Sequence, residues 1–257
     1  MKILIVASAV VLLAGWAFAA DETPWGAEKG GLASRLTLAT PKPTVGQPLR
    51  LKLEVRNTST TDASYDDQQA AVNGSLIVTG PDGSETPNIG GSFQTSGGST
   101  VLKPGESRTI FDGLDVNEQY LIEAPGLYRI QTRSRGGVPQ SNILTVTVAA
   151  GELSEFQKLL IALRRVTPAG WRVANYSGSI VFLHSPTGLK SDATSVSLYF
   201  ANEKNAGPKP ARGQPKPVDL GETKLGHAWL TVESAAAGER WPNFEKAIGD
   251  KVRAIQK

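Results

Sequence analysis

Ala124-Pro-Gly-Leu-Tyr-Arg-Ile-Gln-Thr132 is answered by Ser141-Asn-Ile-Leu-Thr-Val-Thr-Val148. In both, β-branched or aromatic residues recur at every second position, and Gly, Pro or Asn stands where a strand must turn. The two therefore read as paired strands. The chain before this pair reads as β-sheet, and the chain after it reads as a separate α/β unit.

Upstream, Leu49-Arg-Leu-Lys-Leu-Glu-Val-Arg-Asn57 has the cleanest period of two in the chain. It sets Leu49, Leu51, Leu53 and Val55 on one face and Arg50, Lys52, Glu54 and Arg56 on the other. Such a strand has one buried and one wet face, as antiparallel sheets do. Shorter strand candidates lie at Arg35 to Ala39, Ser75 to Thr79, Val101-Leu102 and Ser107 to Phe111. Turn dipeptides Asn73-Gly74 and Asp82-Gly83 punctuate them. Thr58 to Gln69 and Asn88 to Thr100 read as loops. Many short strands joined by Gly/Pro turns at intervals of about 8–12 residues predict a sandwich or barrel.

Gly126-x-Tyr128-x-Ile130, just after a Pro-Gly corner, resembles the tyrosine corner of immunoglobulin-like and fibronectin-III-like sandwiches. The resemblance covers roughly residues 32–149. Antibody domains would carry cysteine at the Ile130 position, so a cysteine-free bacterial module is the nearer likeness. It implies an architecture and no activity, because sandwiches host unrelated functions.

Downstream, Ser154-Glu-Phe-Gln157 reads as a capping box opening a helix whose buried face carries Phe156, Leu159, Leu160 and Leu163. The helix should stop before Pro168. Strands are expected at Trp171 to Tyr176, Ser179 to His184, Thr194 to Ala201 and His227 to Glu233. A Pro-rich insertion lies at 207–217. A last helix from Pro242 to Ile255 carries an apolar stripe of Phe244, Ala247, Ile248, Val252 and Ile255. The expected fold is thus an all-β Ig-like sandwich (32–150) followed by a smaller α+β domain (151–257). In the latter, an antiparallel sheet of about four strands has both helices on one face and the other partly open.

Residues 1–19 read as a signal peptide: Lys2, then an apolar run from Ile3 to Phe18, with Ala17-Phe-Ala19 as the cleavage site. An extended leader (20–31), with Trp25 to pin it, would come next. The expected location is secreted or periplasmic, with no transmembrane segment after cleavage. The absence of cysteine excludes disulfides and thiolate metal sites. A net charge of +3 without a block of like charges gives no reason to expect nucleic acid.

No nucleophile elbow, phosphate loop or zinc-protease motif occurs. No catalytic residue, metal ligand or cofactor is therefore assigned. Asp112-Gly-Leu-Asp115-Val-Asn117 lacks the alternating oxygen donors of a calcium loop. Strand parity places Tyr199, His227, Trp229 and Glu233 on the open face of the second sheet, with Tyr199 and Trp229 as an aromatic platform for an extended peptide or glycan. Lys209, Arg212 and Lys216, along the Pro-rich segment, would touch an anionic envelope polymer. The resulting expectation is a non-catalytic binding or assembly protein of the bacterial envelope, its partner an envelope protein or glycan. The alternatives are a carboxylate-dependent hydrolase and a peptidase inhibitor presenting a loop such as Ser84 to Ser99.

Overall fold

In the computed structural model, the residues described are 23–67, 75–89, 98–166, 172–175, 180–184, 195–201, 208–209, 216–232, 246, 248–252 and 254. Among the described residues the protein is mostly β, built of antiparallel sheets with few helical residues. The expected signal peptide, the Asn73-Gly74 turn and much of the 88–100 loop lie outside the described residues.

The first half holds β1 (Leu32–Leu38), β2 (Arg50–Asn57), β3 (Ala63–Asp66), β4 (Leu76–Thr79), β5 (Ser99–Leu102), β6 (Ser107–Asp115), β7 (Gly126–Thr132) and β8 (Leu144–Val148). They form sheets ordered β1-β2-β6 and β4-β7-β8, and a two-stranded β3-β5. The alternation read in β2 is realised: Leu51, Leu53 and Val55 are fully buried, and their neighbours are only partly so. Leu36, Leu51 and Leu53 meet Leu76, Val78, Tyr128, Ile130, Val146 and Val148 in one core, so both three-stranded sheets contribute to it. A smaller cluster gathers Leu32, Val55, Tyr65, Leu102 and Val138.

Tyr128 donates its hydroxyl to the Ala124 carbonyl at 2.8 Å, four residues upstream. The guanidinium groups of Arg35 and Arg56 each lie over the Trp25 ring, 4.5 Å from its centre. Cation–π attraction thus holds the leader to β1 and β2.

Three features depart from the sequence reading. β3 falls inside the expected polar loop; of its four residues only Tyr65 is buried, too little for a period to show. β6 continues to Asp115, past the expected end at Phe111 and through a bulge at Gly113, whose φ is 83°. Asp112 and Asp115 are therefore strand residues. Asp115 accepts the backbone N–H groups of Leu49 and Asn117 at 3.0 Å each.

Finally, β8 starts at Leu144 and not at Ser141, because the residues before it form cross-links in place of a ladder. Ser141 and Thr132 exchange two side-chain-to-backbone bonds of 3.0 Å. Asn142 reaches β1, accepting from the Leu36 N–H at 2.7 Å and donating to the Leu36 carbonyl at 3.1 Å. One buried amide thereby supplies both bonds a neighbouring strand would give, and it ties the two sheets together.

The second half holds α1 (Glu155–Val166), β9 (Arg172–Asn175), β10 (Ile180–His184), β11 (Ser195–Ala201), β12 (Val218–Thr223) and β13 (Gly226–Val232), with helical residues again at 248–252. The capping box is formed: the Gln157 N–H donates to Ser154 Oγ at 3.2 Å, and the Ser154 N–H donates to Gln157 Oε1 at 2.9 Å. The sheet has five strands in the order β12-β13-β11-β10-β9. Its helix-side core joins Leu159, Leu160 and Leu163 to Leu198, Phe200, Leu220, Ala228 and Leu230, with Ile248 and Val252 from the last helix. Ile89 and Leu121 of the first half complete this core. At the junction Gly46 (φ 84°) and Gly151 permit close backbone approach: a Cβ would lie 1.8 Å from the Glu152 carbonyl oxygen or 2.3 Å from that of Val45. Of the last helix's stripe, Phe244, Ala247 and Ile255 lie outside the described residues.

Asn142→Ala leaves the Leu36 N–H and carbonyl buried without their partner, at roughly 1–3 kcal/mol per group. The expected loss is roughly 2–4 kcal/mol in denaturant unfolding, with an unchanged m-value. Asn142→Asp, which keeps an acceptor but lacks the donor, should not restore it.

Candidate functional site

The outer face of the five-stranded sheet carries Tyr199, His227 and Trp229, three of the four residues that parity selected. Tyr199 and Trp229 are register partners across β11 and β13. Leu198 and Phe200, with Ala228 and Leu230, point the other way into the helix-side core, so the faces are as read. The openness of the outer face is not. Trp229 is 6% exposed, His227 3% and Ser197 0%, and Tyr199 is half-buried. One covering element at His227 is β12, a strand absent from the expected four, which pairs with β13 and brings its carboxylates to the imidazole.

A backbone irregularity makes this possible. β12 pairs Asp219 with Trp229 and Gly221 with Ala228, leaving Leu220 as an extra residue that turns into the core. Gly221 has a φ of 84°, which only glycine adopts without strain. Its N–H donates to Asp219 Oδ1 at 2.8 Å. In an unbroken strand, residues 219 and 222 would face opposite sides. The bulge puts both on the outer face, one on each side of His227.

The imidazole is held at both nitrogens. Nε2 is 2.6 Å from Asp219 Oδ1 and Nδ1 is 2.9 Å from Glu222 Oε1. The Trp229 ring lies beside it, centroids 4.5 Å apart and planes tilted by 43°. The bond to Glu222 is the largest influence on the ring and raises its pKa above the ordinary 6.5. Burial acts against this, and the Asp219 bond and both negative charges add to the rise. A carboxylate at each nitrogen requires both to donate, which is the imidazolium form. In that form the site is a cation between two carboxylates whose own side chains are 52% and 58% exposed.

Lys209 and Lys216 are exposed at either end of the Pro-rich segment. Arg212 and Glu233 lie outside the described residues. Asp219 and Glu222 were missed by sequence reading. The available signal was the pair of acids three apart around a glycine, within reach of a hairpin turn ending in Gly226-His227. Among the described residues there is no cluster of acids and histidines able to hold a metal ion, and no helix is long and apolar enough to cross a membrane. A shallow groove of about 340 Å³ runs along α1, lined by Glu123, Leu153, Lys158, Ile161, Ala162 and Arg165.

The chain matches no known protein family and no curated protein sequence. Among solved structures it is similar to a β-glucosidase from Listeria innocua, at 14% identity and a TM-score of 0.27 over 47% of this chain and 16% of that one. A β-D-glucoside glucohydrolase from Trichoderma reesei is 17% identical, at a TM-score of 0.26 over 46% of this chain and 19% of that one. The sporulation control protein Spo0M from Bacillus subtilis is 14% identical, at a TM-score of 0.27 over 88% of this chain and all of that one. This chain spans less than a fifth of the length of either glycosidase. At these TM-scores none of the likenesses defines a fold or an activity.

His227 should stabilise the fold in a pH-dependent way. Its folded pKa lies above the unfolded value of about 6.5, so its contribution is complete below that pH and is lost as pH rises through the folded value. Glu222→Gln should cost about 1 kcal/mol near pH 6, at the low end for a charged hydrogen bond because the carboxylate is half exposed. The gap between wild type and variant in thermal melts should narrow as pH rises through the folded value of the wild type, where its ring loses the proton.

Proposed function

We propose that the protein is a non-catalytic binding or assembly component of the bacterial cell envelope. In this reading it is exported by its signal peptide and built as an Ig-like sandwich (32–150) followed by an α+β unit (151–257). Two three-stranded antiparallel sheets sharing a core, and a tyrosine bonded back to the corner before its strand, support the sandwich. The observation that carries the non-catalytic reading is the commitment of His227: both ring nitrogens are engaged by carboxylates. A histidine so held is neither a free base nor a free ligand, and it serves to join β12 to β13.

The contact with the envelope falls to Lys209 and Lys216, exposed cations on a proline-stiffened segment. Arg212 lies between them in sequence and outside the described residues. Their attraction to an anionic polymer is a surface interaction and is screened by salt. Glu85, just past the start of the loop weighed for peptidase inhibition, is bound to Arg133, and Thr86 donates its N–H to the Val78 carbonyl at 2.7 Å. That end of the loop is part of the β4 edge and does not protrude, which favours envelope binding over inhibition.

Sedimentation of the purified protein with isolated bacterial envelopes tests this. Retention is expected at low salt, falling several-fold by about 0.5 M salt as the screening length shrinks below about 5 Å. Replacing Lys209, Arg212 and Lys216 together by Glu should abolish it. Turnover of a chromogenic glycoside or ester that disappears in Asp219→Asn or Glu222→Gln would establish the hydrolase instead.

A further inference from the structure

We propose that His227, Asp219 and Glu222 form a pH-operated latch, which holds β12 against β13 and covers Trp229 while both ring nitrogens carry protons, and opens when one proton leaves.

The geometry requires two donors. Asp219 Oδ1 and Glu222 Oε1 stand 2.6 and 2.9 Å from the two nitrogens, and a carboxylate is an acceptor only. A neutral imidazole has one N–H, so its other nitrogen would turn a lone pair toward an anion at hydrogen-bond distance. That contact changes from attractive to repulsive when the proton passes to solvent. The ring is enclosed, whereas the two carboxylates are half exposed, so a carboxylate moves into water while the imidazole stays.

Its departure reaches the backbone and the indole. Asp219 Oδ1 also accepts the Gly221 N–H at 2.8 Å, the bond that closes the bulge, and Asp219 is the register partner of Trp229. Among the described residues β12 ends the strand order of its sheet, next to β13. Loss of Asp219 from the ring therefore removes one of the contacts that hold β12 where it lies beside Trp229. Among the described residues, the charged groups facing the ring are these two acids, both from β12. β11 presents uncharged Ala201 opposite His227, with Tyr199 the titratable group beside it. From β13 itself Trp229 lies beside the ring. The observation is independent of the envelope-binding reading and stands or falls without it.

The chain has two histidines and few tryptophans, so both ends of the latch can be watched by NMR. Side-chain ¹⁵N spectra, assigned with His184→Gln, should show His227 protonated at both nitrogens at neutral pH, with a midpoint above that of a free histidine. In protein carrying 5-fluorotryptophan, the ¹⁹F resonance of Trp229, assigned with Trp229→Phe, should gain solvent accessibility with the same midpoint. Glu222→Gln should lower both midpoints together, and His227→Gln should remove the step. If His227→Gln fails to fold, Glu222→Gln alone decides. A singly protonated ring at neutral pH, no accessibility step at Trp229, or a step whose midpoint Glu222→Gln leaves in place would each overturn the latch.

Discussion

The first half of the molecule depends on a strand that cannot slip. β2 lies in the middle of its sheet, and its alternate residues Leu51, Leu53 and Val55 are buried without remainder. A shift of one residue would drive Arg50, Lys52 and Glu54 into the core and those three into water. Each buried aliphatic side chain contributes about 1.5–3 kcal/mol, so the wrong register forfeits several of these and adds buried charge. The strand also divides its service: Leu51 and Leu53 point into the core shared by the two sheets, and Val55 belongs to the cluster around Tyr65. Because the register of β2 fixes β1 on one side and β6 on the other, it places Leu36 where Asn142 can bond it.

Cores made in this way leave polar backbone to be satisfied where ladders stop, and short side chains do it here. Asn142 replaces a missing strand at Leu36. Asp115 caps both the start of β2 and the turn after β6. Asn57 donates from its amide to the carbonyls of Thr61 and Leu102 at 2.7 and 2.8 Å. Each of these polar residues lies at or just beyond a strand end, and each spans a gap that no regular strand fills. The two halves meet by the same economy of space: glycines at 46 and 151 let the backbones touch, and Leu121 and Ile89 pass into the core under α1.

What could be read from the residues was whatever repeats with a period. The faces of β2, the parity of β11 and β13 and the capping box at Ser154 all come from spacing alone. β3 was hidden because Ala63-Ser-Tyr-Asp66 carries one large apolar residue, and a single residue has no period. β12 was hidden for a different reason: Leu220 and Gly221 both lie on the core side, so Val218-Asp-Leu-Gly-Glu-Thr223 does not alternate. The burial of Trp229 and His227 could not be read either, since it is a property of what lies over them, and one covering element was the strand without a period.

The bulges at Gly113 and Gly221 show what separates a site from an irregularity. In β6, Gly113 takes a left-handed conformation much like that of Gly221, and the strand is bent and continues. The acids near it, Asp112 and Asp115, do not converge on a common partner: Asp115 spends its carboxylate on backbone N–H groups. In β12 the extra residue changes the phase of the strand between two acids, so that Asp219 and Glu222 share a face and close on one imidazole from both sides. No motif of residue types marks this arrangement. It is made by inserting one residue between groups that would otherwise point apart, and it exists only while Gly221 holds its conformation. The chemistry of the outer face is in this sense a consequence of backbone geometry, with the side chains supplying the charges that the geometry brings together.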